Sequence, residues 1–388
     1  MKIEDIFQSY KDNIMPTYTK VPRIFVKGKG SFLWDIHDRK YLDFFPGWGV
    51  GNLGHCHPKV VYAVLDQVKK LIFIPNNYYQ LPQAYLAEEI IRVSFPGKIF
   101  FCNSGAEANE AAIKFSRKFG DGRYEVITFE NSFHGRTLAA LAATGQKKYQ
   151  AGFEPLPEGF KTVKFNDLSA VISALTEKTV AIMLELVQGE GGINVADKEF
   201  IKQLRQLCDE KKLLLIIDEV QTGIGRTGKM FCFKHYGIKP DIVTLAKALG
   251  GGFPIGMMIV RKEIAATLGP GMHASTFGGG PVVAKAALAV LKAIKNVNLL
   301  ENAKKMGEYI FAGLNKLKEE SSLIKEVRGI GLMVGVELKS EGKVIVEKCL
   351  EKGLLINCTH DTVLRLMPAL NVTKKEIDKA IGILKSII

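Results

Sequence analysis

Apolar and polar positions follow three different patterns along the chain. In "RIFVKGKGSFLWDIHDRKYLDFF", residues 23–45, they alternate across two turn signals, Gly28 to Gly30 and His37-Asp38, as in a small antiparallel sheet. From about Lys98 to Val260, short runs that are apolar but for Thr128 and Thr244 alternate with helical patterns: Ile99 to Cys102, Val126 to Phe129, Val180 to Leu184, Leu213 to Ile217, Ile242 to Leu245 and Met257 to Val260. Strands apolar at every position need cover on both faces, which predicts a mostly parallel sheet between helical layers. After Pro281 a helical pattern runs over 282–318 with a break near Asn296, and strand and helix then alternate with exposed charge.

This pattern predicts an α/β protein. Its parts are an N-terminal arm and small sheet over 1–45, a large domain over 46–285, and a smaller α+β domain over 286–388 that shares the arm. In open α/β sheets ligands bind beyond the carboxyl ends of the strands. Four predicted strand ends deliver polar groups there: Asn103-Ser104, Glu185, Asp218 and Ala246-Lys247.

Composition narrows the classes. The chain has 388 residues, enough for more than one domain, and 47% hydrophobic content, that of a folded protein. No apolar run approaches the ~18 residues that span a bilayer. The start "MKIEDIFQSYKDN" carries acids and amides where a secretory signal is apolar, so a cytoplasmic protein without membrane contact is expected. The six cysteines form no C-x-x-C pair, and "GHCHP" has no second cluster to complete a metal shell, so no metal is expected. A net charge of +13 admits a basic nucleic-acid-binding protein, but the lysines are interleaved with acids, as in "KLKEESSLIKEVR". That reading also leaves the polar strand ends unexplained.

The chemistry lies at those ends. In "FFCNSGAEANEAAIKFSRKF", Ser104 and Glu107 form an S-x-x-E capping pattern, and Gly105 and Ala106 leave first-turn N–H groups open to an anion. "TLAKALGGGFPIG" sets Lys247 before three glycines, where a partly desolvated amine can condense with a carbonyl. "SFHGRT" adds Phe133 and Arg136, and "HASTFGGGP" offers the hydroxyl of Thr276. A buried aspartate for a protonated ring nitrogen, a lysine for an aldehyde and a helix N-terminus for a phosphate together describe pyridoxal phosphate.

The ordered set "NSGAEANEAAIK", "FHGRT", "QGEGG", "DEVQTGIGRTG", "LAKALGGGFPIG" and "STFGGGP" resembles the class III aminotransferases of pyridoxal phosphate fold type I, with the acetylornithine-type members nearest. The resemblance covers essentially the whole chain and implies a seven-stranded central sheet. It implies Lys247 as the Schiff-base lysine and proton shuttle, Asp218 as the partner of the pyridinium nitrogen, and Gln221 as partner of the phenolic oxygen. Val220 and Phe133 would pack on the ring, and Ser104, Gly105 and Ala106 would bind phosphate. Thr276 would reach the neighbouring subunit's phosphate, so a homodimer with shared sites is implied. Arg136 and Arg365 would be the carboxylate-binding arginines, Glu190 the group that covers Arg365 while the amino donor is bound, and Glu185 a further glutamate beside the site.

Two departures bear on the substrate. Trp48 stands where acetylornithine enzymes usually carry a small aliphatic residue, and Asn77 and Tyr78 where they often read Leu-Phe, in segments that line the substrate mouth in relatives; a third, Leu186 where proline is common, changes a local turn without removing a functional group. The implied reaction moves the terminal amino group of N-acetylornithine to 2-oxoglutarate. Ornithine, succinylornithine, succinyldiaminopimelate, 4-aminobutyrate and a carrier-bound lysine are the alternative donors.

Overall fold

The computed structural model describes residues 3–388; Met1 and Lys2, the first two residues of the expected arm, lie outside the described residues. A seven-stranded sheet runs in the order Gly97–Cys102, Gly256–Arg261, Ile242–Leu245, Leu214–Asp218, Thr179–Leu184, Glu125–Phe129, Phe160–Val163. The last five pair in parallel, whereas Gly256–Arg261 is antiparallel to both its neighbours. Six of the seven coincide with the apolar runs, two of which carry a buried threonine, Thr128 and Thr244. The seventh, Phe160–Val163, is an edge strand left half-exposed, so its sequence never becomes fully apolar.

Both faces of the sheet are covered. Leu215, Ile217, Val243 and Leu245 face one core, together with Phe200, Ile201 and Leu204 of helix Lys198–Lys211. Leu214, Ile216, Ile242 and Met258 face the other, against Ala111, Ala112 and Phe115 of helix Gly105–Phe119. Side chains alternate across a strand, so a strand between two cores is apolar on both faces, with small polar exceptions here at Thr128 and Thr244. At roughly 25 cal/mol per Å² of apolar area, each fully buried leucine or isoleucine contributes about 1.5–3 kcal/mol.

Helix Gly105–Phe119 starts where the pattern placed it, but only half of the expected capping box forms. Ser104 Oγ accepts from the Glu107 N–H at 3.1 Å, as an N-cap should. The Glu107 carboxylate bypasses Ser104 and accepts from the backbone N–H of Asn103 instead. The complete reciprocal box occurs at helix Lys374–Lys385, between Thr373 and Glu376.

The long helical pattern resolves into Pro281–Asn296 and Leu299–Glu320, separated where Asn298 takes a left-handed φ of 50°. The N-terminal sheet is Phe25–Lys29, Phe32–Asp35 and Lys40–Asp43, joined in parallel by Leu354–Leu355 from the C-terminal region. A second small sheet has the order Ile324–Ile330, Met333–Leu338, Val363–Leu366, Asn357–Thr359. Arg226, fully buried, ties these regions to the centre: its guanidinium donates to the carbonyls of Leu332 and Pro368 and to Asn52 Oδ1.

Glu219, beside Asp218 at the end of the central strand, has a structural task. Its carboxylate accepts from the N–H groups of Cys232 at 2.7 Å and Phe233 at 2.8 Å, pinning a turn some 13 residues on. Burial pushes it up from 4.5 to about 7, against those two hydrogen bonds. A carboxyl raised in the folded state stabilises fully below its unfolded value, and that contribution fades as pH rises through the folded one. The stability difference between Glu219→Gln and wild type should therefore move in the variant's favour between pH ~4.5 and ~7, by on the order of 1 kcal/mol or more. Denaturant midpoints measured across that range test it, and a pH-independent difference would contradict the assignment.

Candidate active site

Beyond the carboxyl ends of the parallel strands lies a cavity of about 460 Å³. Its walls bring together Ser104, Gly105, Ala106, Phe133, Arg136, Glu185, Glu190, Asp218, Val220, Gln221 and Lys247, residues spread over more than 140 positions of sequence. Five predicted site residues stand elsewhere. Arg365 is behind Glu190, paired to it at 2.7 Å. Thr276 is exposed and lines a separate cavity with Asn103 and Ser275. Trp48, at a left-handed φ of 55°, packs edge-on against Phe45, and Asn77 and Tyr78 are on the surface.

Asp218 ends the central strand with its carboxylate buried. Oδ1 accepts from the Val220 N–H at 3.0 Å, and Oδ2 accepts from Asn109 Nδ2 and His134 Nδ1, both at 2.8 Å. A carboxylate only accepts, so the His134 proton sits on Nδ1. His134 Nε2 is buried without a hydrogen-bond partner among the described residues, so the ring's hydrogen bond is the one to Asp218. Neither Asn109 nor His134 was singled out from sequence. The signal was present, since Asn109 is one turn into the capped helix and His134 follows Phe133, but pairing residues 109, 134 and 218 is a tertiary event.

Lys247 opens a short 3₁₀ turn, Lys247–Gly250, at a left-handed φ of 43°. Such a conformation costs a non-glycine residue on the order of 1 kcal/mol and persists only where its surroundings enforce it. Burial lowers the affinity of its amine for a proton, while the carboxylates of Glu190, Asp218 and Glu185 oppose that shift. A lysine held below its ordinary range can be neutral and nucleophilic. Glu185 accepts from the N–H groups of Phe133 at 2.9 Å and Gly189 at 3.3 Å. Burial raises it to about 7, helped by the Asp218 charge and opposed by His134.

Two arginines serve the cavity differently. Arg136 is exposed, its guanidinium 4.0 Å from the centre of the Tyr149 ring and 5.5 Å from that of Phe133. Arg365 is buried over the face of Phe45 at 4.6 Å. Its Nη1 donates to the Gly189 carbonyl and to Glu190 Oε1, both at 2.7 Å. Burial alone would raise the Glu190 carboxyl, but the Arg365 charge and hydrogen bond hold it below its ordinary range. Phe45, Tyr149 and Asn357 were also missed in the sequence, where nothing local marks them.

The residues present fit pyridoxal phosphate. First-turn N–H groups of a helix have no intrahelical partner, and those of Gly105 and Ala106 border the cavity. Gln221 Oε1 is buried and lacks a partner in the protein. Gly105 is required for a further reason: a Cβ there would stand 2.7 Å from Val220 Cγ1. Among the described residues, no group of three or more His, Cys, Asp or Glu could hold a metal ion, and no helix is long and apolar enough to cross a membrane. Gly105→Ala should cost about 1–3 kcal/mol by overpacking against Val220. Adding Val220→Ala should recover much of it, a coupling of at least ~0.5 kcal/mol in thermal unfolding; strictly additive effects would contradict the contact.

Comparison with known proteins agrees with this geometry. The family model "Aminotransferase class-III" matches residues 14–388. The acetylornithine aminotransferase of Methanocaldococcus jannaschii is 53% identical over 375 residues, 95% of this chain and 94% of that protein. The crystal structure of ornithine aminotransferase from Toxoplasma gondii superposes with a TM-score of 0.95 at 32% identity, covering 100% of this chain and 94% of that one. Acetylornithine aminotransferase from Elizabethkingia anophelis gives 0.89 at 31%, covering 100% and 99%. The chain belongs to the class III aminotransferases, and is a pyridoxal-phosphate-dependent enzyme.

Proposed function

We propose that the enzyme transfers the terminal amino group of N-acetylornithine to 2-oxoglutarate, giving N-acetylglutamate semialdehyde and glutamate, in cytoplasmic arginine or lysine biosynthesis. The observation that carries this reading is the juxtaposition of Lys247 and Glu190 in one cavity wall, with Glu190 covering the buried Arg365 guanidinium behind it. A transaminase must accept two unlike substrates in turn. With Glu190 on Arg365 the inner site is neutral and suits a donor with no carboxylate there; with Glu190 withdrawn it offers a bidentate cation to a dicarboxylate.

Pyridoxal phosphate, when bound, supplies an electron sink for the carbon that loses a proton. Lys247, with its amine below the ordinary lysine range, would take that proton from the terminal carbon of the donor and return it on the cofactor side. Asp218, fixed by Asn109 and His134, would hold a proton on the ring nitrogen, and Gln221 would reach the phenolic oxygen. Phe133 and Val220 would pack on the ring, and Arg136, stacked on Tyr149, would take the donor's α-carboxylate.

Residues 46–285 would hold the cofactor, with 1–45 and 286–388 closing over it. The enzyme would work as a homodimer. Thr276 opens onto a surface cavity apart from its own chain's Lys247, which suits a hydroxyl serving a neighbouring site. Exposed Tyr62, Tyr79, Leu81 and Tyr85 line two further surface cavities, and Phe73 packs against Phe277 next to Thr276, apolar surface that suits a partner subunit.

Three measurements test these assignments. The protein with pyridoxal phosphate should show a visible absorption band that N-acetylornithine bleaches faster than ornithine or 4-aminobutyrate. Faster bleaching by another amine would shift the donor assignment to that amine, with Trp48, Asn77 and Tyr78 as the residues to exchange. Lys247→Ala should lose the band's wild-type position and at least ~10³-fold of turnover. Sedimentation should give a dimer, and Thr276→Ala chains mixed with Lys247→Ala chains should restore activity only through hybrid dimers; a monomer at full activity would overturn the shared site.

A further inference from the structure

The Arg365–Glu190 pair poses a mechanical problem. Arg365 is buried, with 1% of its side chain exposed, whereas Glu190 keeps 18%. If Glu190 withdraws to admit a dicarboxylate, the guanidinium loses its only charged partner and needs other contacts to stay aligned. Those contacts come from the edge strand Asn357–Thr359, which pairs antiparallel with Val363–Leu366, Asn357 opposite Arg365. Asn357 Oδ1 accepts from Arg365 Nη2 at 2.8 Å and from Nε at 3.1 Å. A guanidinium has no acceptor, so this amide must present its oxygen. Two residues on, Thr359 Oγ1 donates to the Glu190 carbonyl at 2.7 Å. The backbone of Glu190 is thereby tied down, and its side chain is what remains to move.

We propose that Asn357 is a positioning residue that clamps the Arg365 guanidinium with a neutral acceptor, so that the cation stays aligned and uncompensated for the dicarboxylate substrate when Glu190 withdraws. This rests on the two-substrate reading of Arg365 and Glu190 given above. The chemistry explains why an amide serves here. A carboxylate in the same place would hold Arg365 equally well but would cancel its charge permanently, leaving the site in its donor form. An apolar residue would preserve the charge but release the Nε and Nη2 edge. With Asn357 and the Gly189 carbonyl in place, three guanidinium N–H contacts survive the departure of Glu190, all to neutral oxygens.

The test uses the enzyme loaded with pyridoxal phosphate and two readouts. One is KM for N-acetylornithine and for 2-oxoglutarate measured in separate half-reactions. The other is calorimetric binding of glutarate, an inert dicarboxylate of the acceptor's length. Asn357→Asp should raise the 2-oxoglutarate KM and the glutarate Kd by about thirtyfold or more, while the donor KM moves less than about threefold. Asn357→Ala should shift the same two constants by about three- to tenfold, because it loosens Arg365 without neutralising it. A merely structural role would move donor and acceptor constants together, and that result overturns the proposal, as does an unchanged glutarate Kd in Asn357→Asp. Should that variant not fold, the glutarate Kd of Asn357→Ala decides alone. Glu190→Gln separates the two levels. If it leaves the donor-to-acceptor ratio of KM unaltered, the two-substrate reading itself fails. If it shifts that ratio while Asn357→Asp does not, only the role of Asn357 fails.

Discussion

A carboxylate buried at the end of the central strand is the constraint on which the site depends. The oxygens of Asp218 are satisfied there by the Val220 N–H, Asn109 and His134. An unpartnered charge at that depth would cost several kcal/mol. Each partner is fixed in turn by a different element: helix Gly105–Phe119 carries Asn109, and the loop after Glu125–Phe129 carries His134. The two-faced core of the sheet therefore does more than stabilise. It aligns the strand ends so that polar groups meet within hydrogen-bonding distance on dry, rigid supports.

The same cavity holds three carboxylates, Glu185, Glu190 and Asp218, around one lysine, and their environments differ. Burial outweighs the opposing influence of His134 and raises Glu185 to about 7, whereas Arg365 holds Glu190 low. Lys247 sits between opposing influences, burial lowering its proton affinity and the carboxylates restoring some of it. Such divergence among neighbouring titratable groups is what lets one small site bind, release and move protons at a single pH.

Charge is also rationed among the arginines. Arg365 meets one charged partner and two neutral ones, while Arg226, equally buried, meets only neutral oxygens and is pushed down to about 9. The first arrangement pairs a buried cation with a carboxylate that keeps some exposure to the cavity. The second is a fixed clamp between the N-terminal segment, the central loop and the C-terminal sheet.

Much of this was legible in the chain. Strands buried on both faces are apolar at nearly every position, so six of the seven central strands declared themselves, as did the break between Asn296 and Leu299. The edge strand Phe160–Val163 did not, because one exposed side removes that requirement, and the antiparallel setting of Gly256–Arg261 leaves no mark on composition. Ordered motifs placed Lys247, Asp218, Gln221, Gly105 and Arg136 beside one cavity. Their partners Asn109, His134, Tyr149, Phe45 and Asn357 were silent, since an asparagine or a phenylalanine carries no local signal of the distant group it will meet. Periodicity and motif order are written along the chain and survive in the sequence; which carboxylate meets which histidine is decided only when segments more than 80 residues apart, as with His134 and Asp218, are packed side by side, and which amide clamps which arginine is decided by the register of the two strands that carry Asn357 and Arg365.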